Sequence, residues 1–206
     1  MKVILVNGSP HEHGCTDVAL REVEKTIKAA GIETEIYWIG KQAIVGCQDC
    51  RACAKDGRCV FNDKVNEFAD LAEKADGFVF GAPVHYASIN GTMRCFLDRL
   101  FYSAGRIFYL KPGAVVTVAR RAGTTATIDQ LNKYITISQM PLISSCYWTM
   151  VHGAVPEEVA EDKEGLQVMR TLGRNMAWFL QCKEAGAKAG VPLPEQETRV
   201  WTNFTR

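Results

Sequence analysis

Val3-Ile4-Leu5-Val6-Asn7-Gly8-Ser9-Pro10-His11-Glu12-His13-Gly14-Cys15-Thr16-Asp17 joins a strand to a helix through one tight loop, the pattern of an α/β fold. The apolar run Val3 to Val6 reads as a buried strand, a helical pattern starts at Asp17, and the loop between them, Gly8 to Thr16, is rich in small residues. A tight loop at a helix N-terminus aims free backbone N–H groups and the positive end of the helix dipole at one point, where an anion is favoured. Ser9 and Thr16 add hydroxyl donors. The spacing is neither the Gly-x-Gly-x-x-Gly dinucleotide fingerprint nor a Walker loop, because the Lys-Ser/Thr pair that would meet nucleotide phosphates and magnesium is missing. A lone phosphomonoester is the expected anion. Standing alone, the stretch would serve equally as a plain strand-to-helix turn, so its meaning depends on the rest of the chain.

Outward from this loop, apolar β-rich runs alternate with helical patterns, the mark of a parallel sheet with helices on both faces. Strands are expected at Lys2 to Asn7, Thr34 to Ile39, Gly77 to Gly81, Ala114 to Ala119 and Leu142 to Val151. Helices are expected near Asp17 to Ala30, Lys64 to Lys74, Gly91 to Tyr102, Thr125 to Ser138 and Lys163 to Gln181. In the last, Leu166, Met169, Leu172, Met176 and Phe179 recur at helical spacing and read as core. The fold class is α/β, a doubly wound five-stranded parallel sheet, with one domain over residues 1–190 and a tail or arm over 191–206. Val200, Trp201 and Phe204 are too apolar for a free coil, so the tail is expected to pack on its own domain or on a neighbour.

The 206 residues suit one domain, and 47% hydrophobic with 23% charged is ordinary globular composition. With 24 basic and 23 acidic residues the net charge is +1, which recruits neither nucleic acid nor an anionic membrane. The expected partner is a small molecule. No secretory pattern precedes the first strand and no apolar run reaches membrane-spanning length, so a cytoplasmic location is expected. There, eight Cys argue for metal, redox chemistry or packing before disulfides.

In a doubly wound sheet the ligand sits at the carboxyl ends of the strands, so the loops after strands one, three and four share one site. After strand three comes Gly81-Ala82-Pro83-Val84-His85-Tyr86-Ala87-Ser88-Ile89-Asn90-Gly91, long, partly apolar and suited to a flat ring. After strand four comes Arg120-Arg121-Ala122-Gly123-Thr124-Thr125, whose donors and charge suit a carbonyl-rich ring edge that becomes anionic on reduction. Each alone is an ordinary surface loop. Together with the phosphate loop they describe a mononucleotide with a three-ring head.

Gly8-Ser9-Pro10 with Gly14 and Thr16, then Ala82-Pro83-Val84-His85-Tyr86, then Phe96-Leu97-Asp98-Arg99, resemble the flavodoxin-like NADPH-dependent FMN reductases over about residues 1 to 180. The resemblance implies FMN held through its phosphate by the loop containing Ser9, His11, Gly14, Cys15 and Thr16. It places the isoalloxazine against Pro83, Val84, His85, Tyr86, Ala87, Ser88, Ile89 and Asn90 and against Arg120, Gly123 and Thr124. It also implies a homodimer or homotetramer with the flavin near a subunit interface. His11 and His13 depart from the family, which often has Arg, Lys or Asn there; a neutral His still donates one hydrogen bond to phosphate.

Cys47-Gln48-Asp49-Cys50-Arg51-Ala52-Cys53-Ala54-Lys55-Asp56-Gly57-Arg58-Cys59 is the second distinctive stretch, four thiols within thirteen residues. Cys47, Cys50 and Cys53 are spaced so that a compact loop can converge them, and Cys59 after the Gly57 turn can supply a fourth ligand, as in ferredoxin-type spacing. The same spacing resembles the iron-sulfur flavoproteins, a branch of this fold that binds a 4Fe-4S cluster in this loop. Small buried thiols without metal, a zinc site and a redox disulfide stay open beside it. Cys95, Cys146 and Cys182 lie in apolar patterns and are expected in the core. For Cys15 the helix dipole could depress the thiol pKa, although the resemblance assigns it mainly a backbone N–H.

The expected activity is an FMN-dependent oxidoreductase with NADPH or NADH as electron donor and a small-molecule or protein acceptor. The flavin carries the chemistry, so no side chain need be catalytic, and ring-stacking scaffold is favoured over proton donation for His85 and Tyr86. With a cluster present, the protein would instead convert between two-electron and one-electron carriers, with a ferredoxin-like partner. A flavodoxin-type carrier is the alternative from another class, against which the +1 charge speaks, since such carriers are commonly acidic.

Overall fold

The computed structural model describes residues 1–202 and 204. In chain order it contains β1 (Lys2–Asn7), α1 (Cys15–Ala29), β2 (Glu33–Trp38), α2 (Lys64–Ala72), β3 (Gly77–His85), β4 (Ser88–Ile89) and α3 (Gly91–Ala104). There follow β5 (Gly113–Ala119), α4 (Thr124–Ile137), β6 (Met150–His152), α5 (Pro156–Glu161) and α6 (Lys163–Lys188). Short 3-10 turns lie at Ala52–Ala54 and Gly105–Phe108.

Strands β2-β1-β3-β5-β6 form one parallel sheet, and the two-residue β4 pairs antiparallel with β3. Counting the parallel strands alone, the order is 2-1-3-4-5, the flavodoxin-like order, as expected. Both faces are covered, which is why β1 is one continuous apolar run. Ile4 and Val6 enter one core with Phe68, Phe78, Phe80 and Phe96. Val3 and Leu5 enter the other with Leu20, Val23, Leu172 and Met176. Alternation along the strand sends successive side chains to opposite faces. The first core is knit by aromatic pairs, among them Phe78 with Phe108 at 4.9 Å and Phe101 with Phe108 at 4.6 Å between ring centroids, each worth about 0.5–1.5 kcal/mol beyond burial.

Several expectations need correction. The run Leu142 to Val151 is not one strand: Leu142 makes a single bridge to Gly113, and regular pairing resumes only at Met150. Between them the exposed Tyr147 and Trp148 interrupt the alternation a strand needs. Cys146 and Cys182 are exposed and Cys95 is half-buried, so none is the fully buried core thiol expected. On α6, Met169, Leu172 and Met176 are buried, while Leu166 and Phe179 only flank the core. The tail touches its own domain through Gln196, which meets Gln139 and Tyr109, but leaves Val200, Trp201 and Phe204 exposed. No helix among the described residues is long and apolar enough to cross a membrane.

Candidate functional site

The chain reverses direction from β1 into α1 around a braced loop. Asn7, fully buried at the end of β1, accepts from the Ser9 N–H at 3.0 Å and donates to the Glu12 carbonyl at 2.9 Å. The His11 N–H donates to Ser9 Oγ at 3.1 Å, and Trp38 Nε1 donates to the Ser9 carbonyl at 2.8 Å. Gly14, the N-cap of α1, contributes no side-chain cap, so the first-turn N–H groups are left for another acceptor. A Cβ at Gly14 would stand 2.8 Å from His11 Cβ, so the loop closes this tightly only around glycine. Thr16 Oγ1 is buried and has no hydrogen-bond partner. An orphaned hydroxyl beside uncapped helix N–H groups is a polar site waiting for an anion.

One open cleft at the carboxyl ends of the strands brings this loop together with the other two. Ser9, His11, Cys15 and Thr16 line it with Pro83, Val84, His85 and Arg120. Val118, Ala119, Gly153 and Ala154 also line it and were not anticipated. Gly153 and Ala154 follow β6, so the rule that ligands sit beyond strand ends could have found them. Burial comes first in pushing the Cys15 thiol above its ordinary value, with Glu158 and Glu157 adding to it. A hydrogen bond from its own backbone N–H acts the other way but lowers it less than burial raises it.

The remaining expected residues sit around the cleft. Tyr86 and Ala87 adopt φ of 50° and 54°, forming the two-residue turn between β3 and β4 with the left-handed pair of a type I′ hairpin. Tyr86 projects wholly into solvent, so in this chain its ring is not a wall of the cleft. Ile89 is buried and pairs with Val84, and Ser88 Oγ donates to Gln130 Oε1 at 2.8 Å. Asn90, also buried, donates to the Gly8 carbonyl at 2.9 Å and so ties the hairpin to the first loop. Thr124 is buried with its hydroxyl 3.1 Å from Met150 Sδ, and Gly123 lies under the hairpin tip.

The cysteine segment forms a second site. Cys47, Cys50, Cys53 and Cys59 all line one pocket. Cys47 and Cys50 are exposed, Cys53 and Cys59 half-buried. Burial, followed by the nearness of Cys50, Cys59 and Cys47, pushes the Cys53 thiol up. Asp49 and Arg51 take left-handed φ of 48° and 59°, bending the chain around the pocket between its cysteines. Asn66 on α2 holds Cys59 from both sides, accepting from its N–H at 3.0 Å and donating to its carbonyl at 2.8 Å. The sulfurs surround a common space rather than meeting at a point: among the described residues no three His, Cys, Asp or Glu side chains converge tightly enough to hold a metal ion.

The family model for NADPH-dependent FMN reductase matches residues 1–155, which include all three loops of the cleft and the four clustered thiols. The chain belongs to that family. As an FMN reductase homologue it is 30% identical over 185 residues to an iron-sulfur flavoprotein of Methanocaldococcus jannaschii, covering 86% of this chain and 96% of the relative. It is 31% identical over 185 residues to an iron-sulfur flavoprotein of Archaeoglobus fulgidus, covering 89% of this chain and 82% of the relative. The fold resembles that of a WrbA-like flavodoxin from Agrobacterium tumefaciens, with TM-score 0.63 and 14% identity over 88% of this chain and 98% of that one. The family resemblance read from the three motifs therefore holds, and with it flavin-dependent oxidoreduction.

FMN fits the first site, on the strength of the orphaned Thr16 hydroxyl, the uncapped α1 and the glycine-closed loop. An iron-sulfur cluster fits the donor set of the second, four thiols lining one pocket.

Proposed function

We propose that this FMN reductase family member is an oxidoreductase that exchanges electrons between NADPH or NADH and an acceptor, with FMN resident in the cleft. The observation that carries this reading is the buried, unpartnered Thr16 hydroxyl at the uncapped start of α1. Ser9, His11, Gly14, Cys15 and Thr16 would hold the phosphate, and Pro83, Val84, His85 and Arg120 would meet the ring system, with the Tyr86 to Asn90 hairpin and the Gly123 to Thr124 turn as its frame. FMN, when bound, supplies reversible one- and two-electron chemistry at its ring. The protein orients it: Asn7, Trp38 and Asn90 fix the phosphate loop, and the half-buried Pro83 and Val84 offer an apolar wall that keeps water from one side.

The four thiols around one pocket favour a second reading within the first, in which Cys47, Cys50, Cys53 and Cys59 hold a 4Fe-4S cluster and the acceptor is a one-electron carrier such as a ferredoxin-like protein. The names of the relatives support it. A cytoplasmic homodimer or homotetramer completes the proposal. The test is to add NADPH, then NADH, to anaerobic flavin-loaded protein and follow the visible flavin absorption. Rapid bleaching with either supports a nicotinamide-dependent reductase; no bleaching with both removes that donor.

A further inference from the structure

Arg99 lies on α3, and its side chain is only 1% exposed. All five of its N–H donors are engaged. Nε donates to Cys59 Sγ at 3.2 Å, Nη1 to Val45 O at 3.4 Å and Asp63 Oδ2 at 2.6 Å, and Nη2 to Phe61 O at 3.1 Å and Asp63 Oδ1 at 2.9 Å. The guanidinium also lies 5.0 Å from the centre of the Phe61 ring. Val45 precedes the first clustered cysteine, and Phe61 and Asp63 follow the last. One side chain therefore closes the whole cysteine loop onto α3 while pointing a charged donor at a sulfur. Two further residues reinforce it: Tyr102, three positions on along α3, donates from Oη to Asp49 Oδ1 at 2.8 Å, and Arg106, on the 3-10 turn after the helix, donates from Nη2 to Asp56 O at 3.3 Å.

We propose that Arg99 is the positioning residue of the thiol pocket, closing its loop and holding a charge-bearing donor on the Cys59 sulfur so as to raise the reduction potential of an iron-sulfur cluster bound there. The inference rests on the cluster reading given above. A cationic donor beside a ligand sulfur favours the state that carries more negative charge, which is the reduced one. Asp63 draws on the same guanidinium through both carboxylate oxygens, so it competes with the sulfur for that charge. Lysine keeps the charge but gathers its three donors at a single point, so at position 99 it pairs with the Asp63 carboxylate and leaves the Cys59 sulfur without its donor.

The two residues should therefore move the potential in opposite directions. Asp63→Asn keeps the helix cap that Asp63 provides to Val65 N, yet releases charge toward Cys59. In anaerobic protein carrying iron, a redox titration followed by electron paramagnetic resonance should show Arg99→Lys harder to reduce by about tenfold in the equilibrium, about 59 mV for a one-electron couple. Asp63→Asn should be easier to reduce. Potentials that stay put, or shift in the same direction in both variants, overturn the proposal, because a merely structural loss of the clamp has no reason to raise one and lower the other. Should Arg99→Lys retain no iron, Asp63→Asn decides alone: a raised potential supports the assignment and an unchanged or lowered one overturns it. Wild-type protein that assembles no iron overturns the cluster reading itself. The loop-closing role is then read from trypsin cleavage after Arg51, Lys55 and Arg58, about tenfold faster in Arg99→Lys if Arg99 closes the loop and equal to wild type if it does not.

Discussion

Gly123 lies directly beneath Ala87: a Cβ on Gly123 would stand 2.8 Å from Ala87 Cα and 2.9 Å from Val84 Cγ1, and Gly123 has φ of +94°. The loop after β5 thus props the hairpin after β3, and the two loops of the cleft are set by one contact. Gly123→Ala should cost about 1–3 kcal/mol of stability through left-handed strain and the forced shift of backbone. It should also weaken FMN binding by displacing Val84. Thermal denaturation and fluorescence titration with FMN check both; wild-type values for the two would show that this contact does not shape the cleft.

Thr16→Val separates binding from folding. The hydroxyl is buried without a partner, so removing it at constant shape should leave the FMN-free protein equally stable or more stable. FMN affinity should fall about ten- to a hundredfold, the worth of one hydrogen bond to a charged acceptor. Equal affinity in the variant would mean that the hydroxyl does not meet the phosphate.

Thiol labelling gives a pH-dependent check. Because burial raises the Cys15 pKa, less thiolate is present at neutral pH, and only the thiolate reacts. In FMN-free protein, iodoacetamide at pH 7 should label the exposed Cys146 and Cys182 well before Cys15. Labelling of Cys15 should go on rising with pH beyond the ordinary thiol pKa, about 8.5. Cys15 reacting first at pH 7 would point to the helix dipole as the stronger influence.

Asn66 secures the last cysteine of the loop, and its own side chain is buried. Asn66→Ala leaves the N–H and carbonyl of Cys59 unpaired, at a cost of about 1–3 kcal/mol. Hydrogen exchange at the Cys59 amide should accelerate by about tenfold or more. Protection equal to wild type would assign the order of this segment to other contacts.

The parallel strands and the tight turn from β1 into α1 were legible because their signals are local: a continuous apolar run, a glycine-closed turn, a helical period starting at once. The hairpin was not, since Tyr86 and Ala87 carry none of the Gly or Asn signature that left-handed turn positions usually show. The edge strand β6 was overdrawn because Leu142 to Val151 is apolar enough for a strand while only its end pairs with β5. Of the thiol pocket, the four cysteines were visible and their holders were not. Arg99 enters the sequence reading only as the last residue of the Phe96-Leu97-Asp98-Arg99 motif; a charge beside Phe96, Leu97 and Leu100, buried residues of α3, signals a buried partner, but that the partners are Cys59 and Asp63 follows only from how α2 and α3 meet.

Iron and acid-labile sulfide, measured against flavin in protein purified without oxygen, show whether the cleft and the thiol pocket are both filled. Flavin together with roughly four iron and four sulfide per chain is the expected result, the cluster being held by Cys47, Cys50, Cys53 and Cys59. Flavin without iron or sulfide would contradict it, leaving a plain FMN reductase whose four clustered thiols hold no cluster.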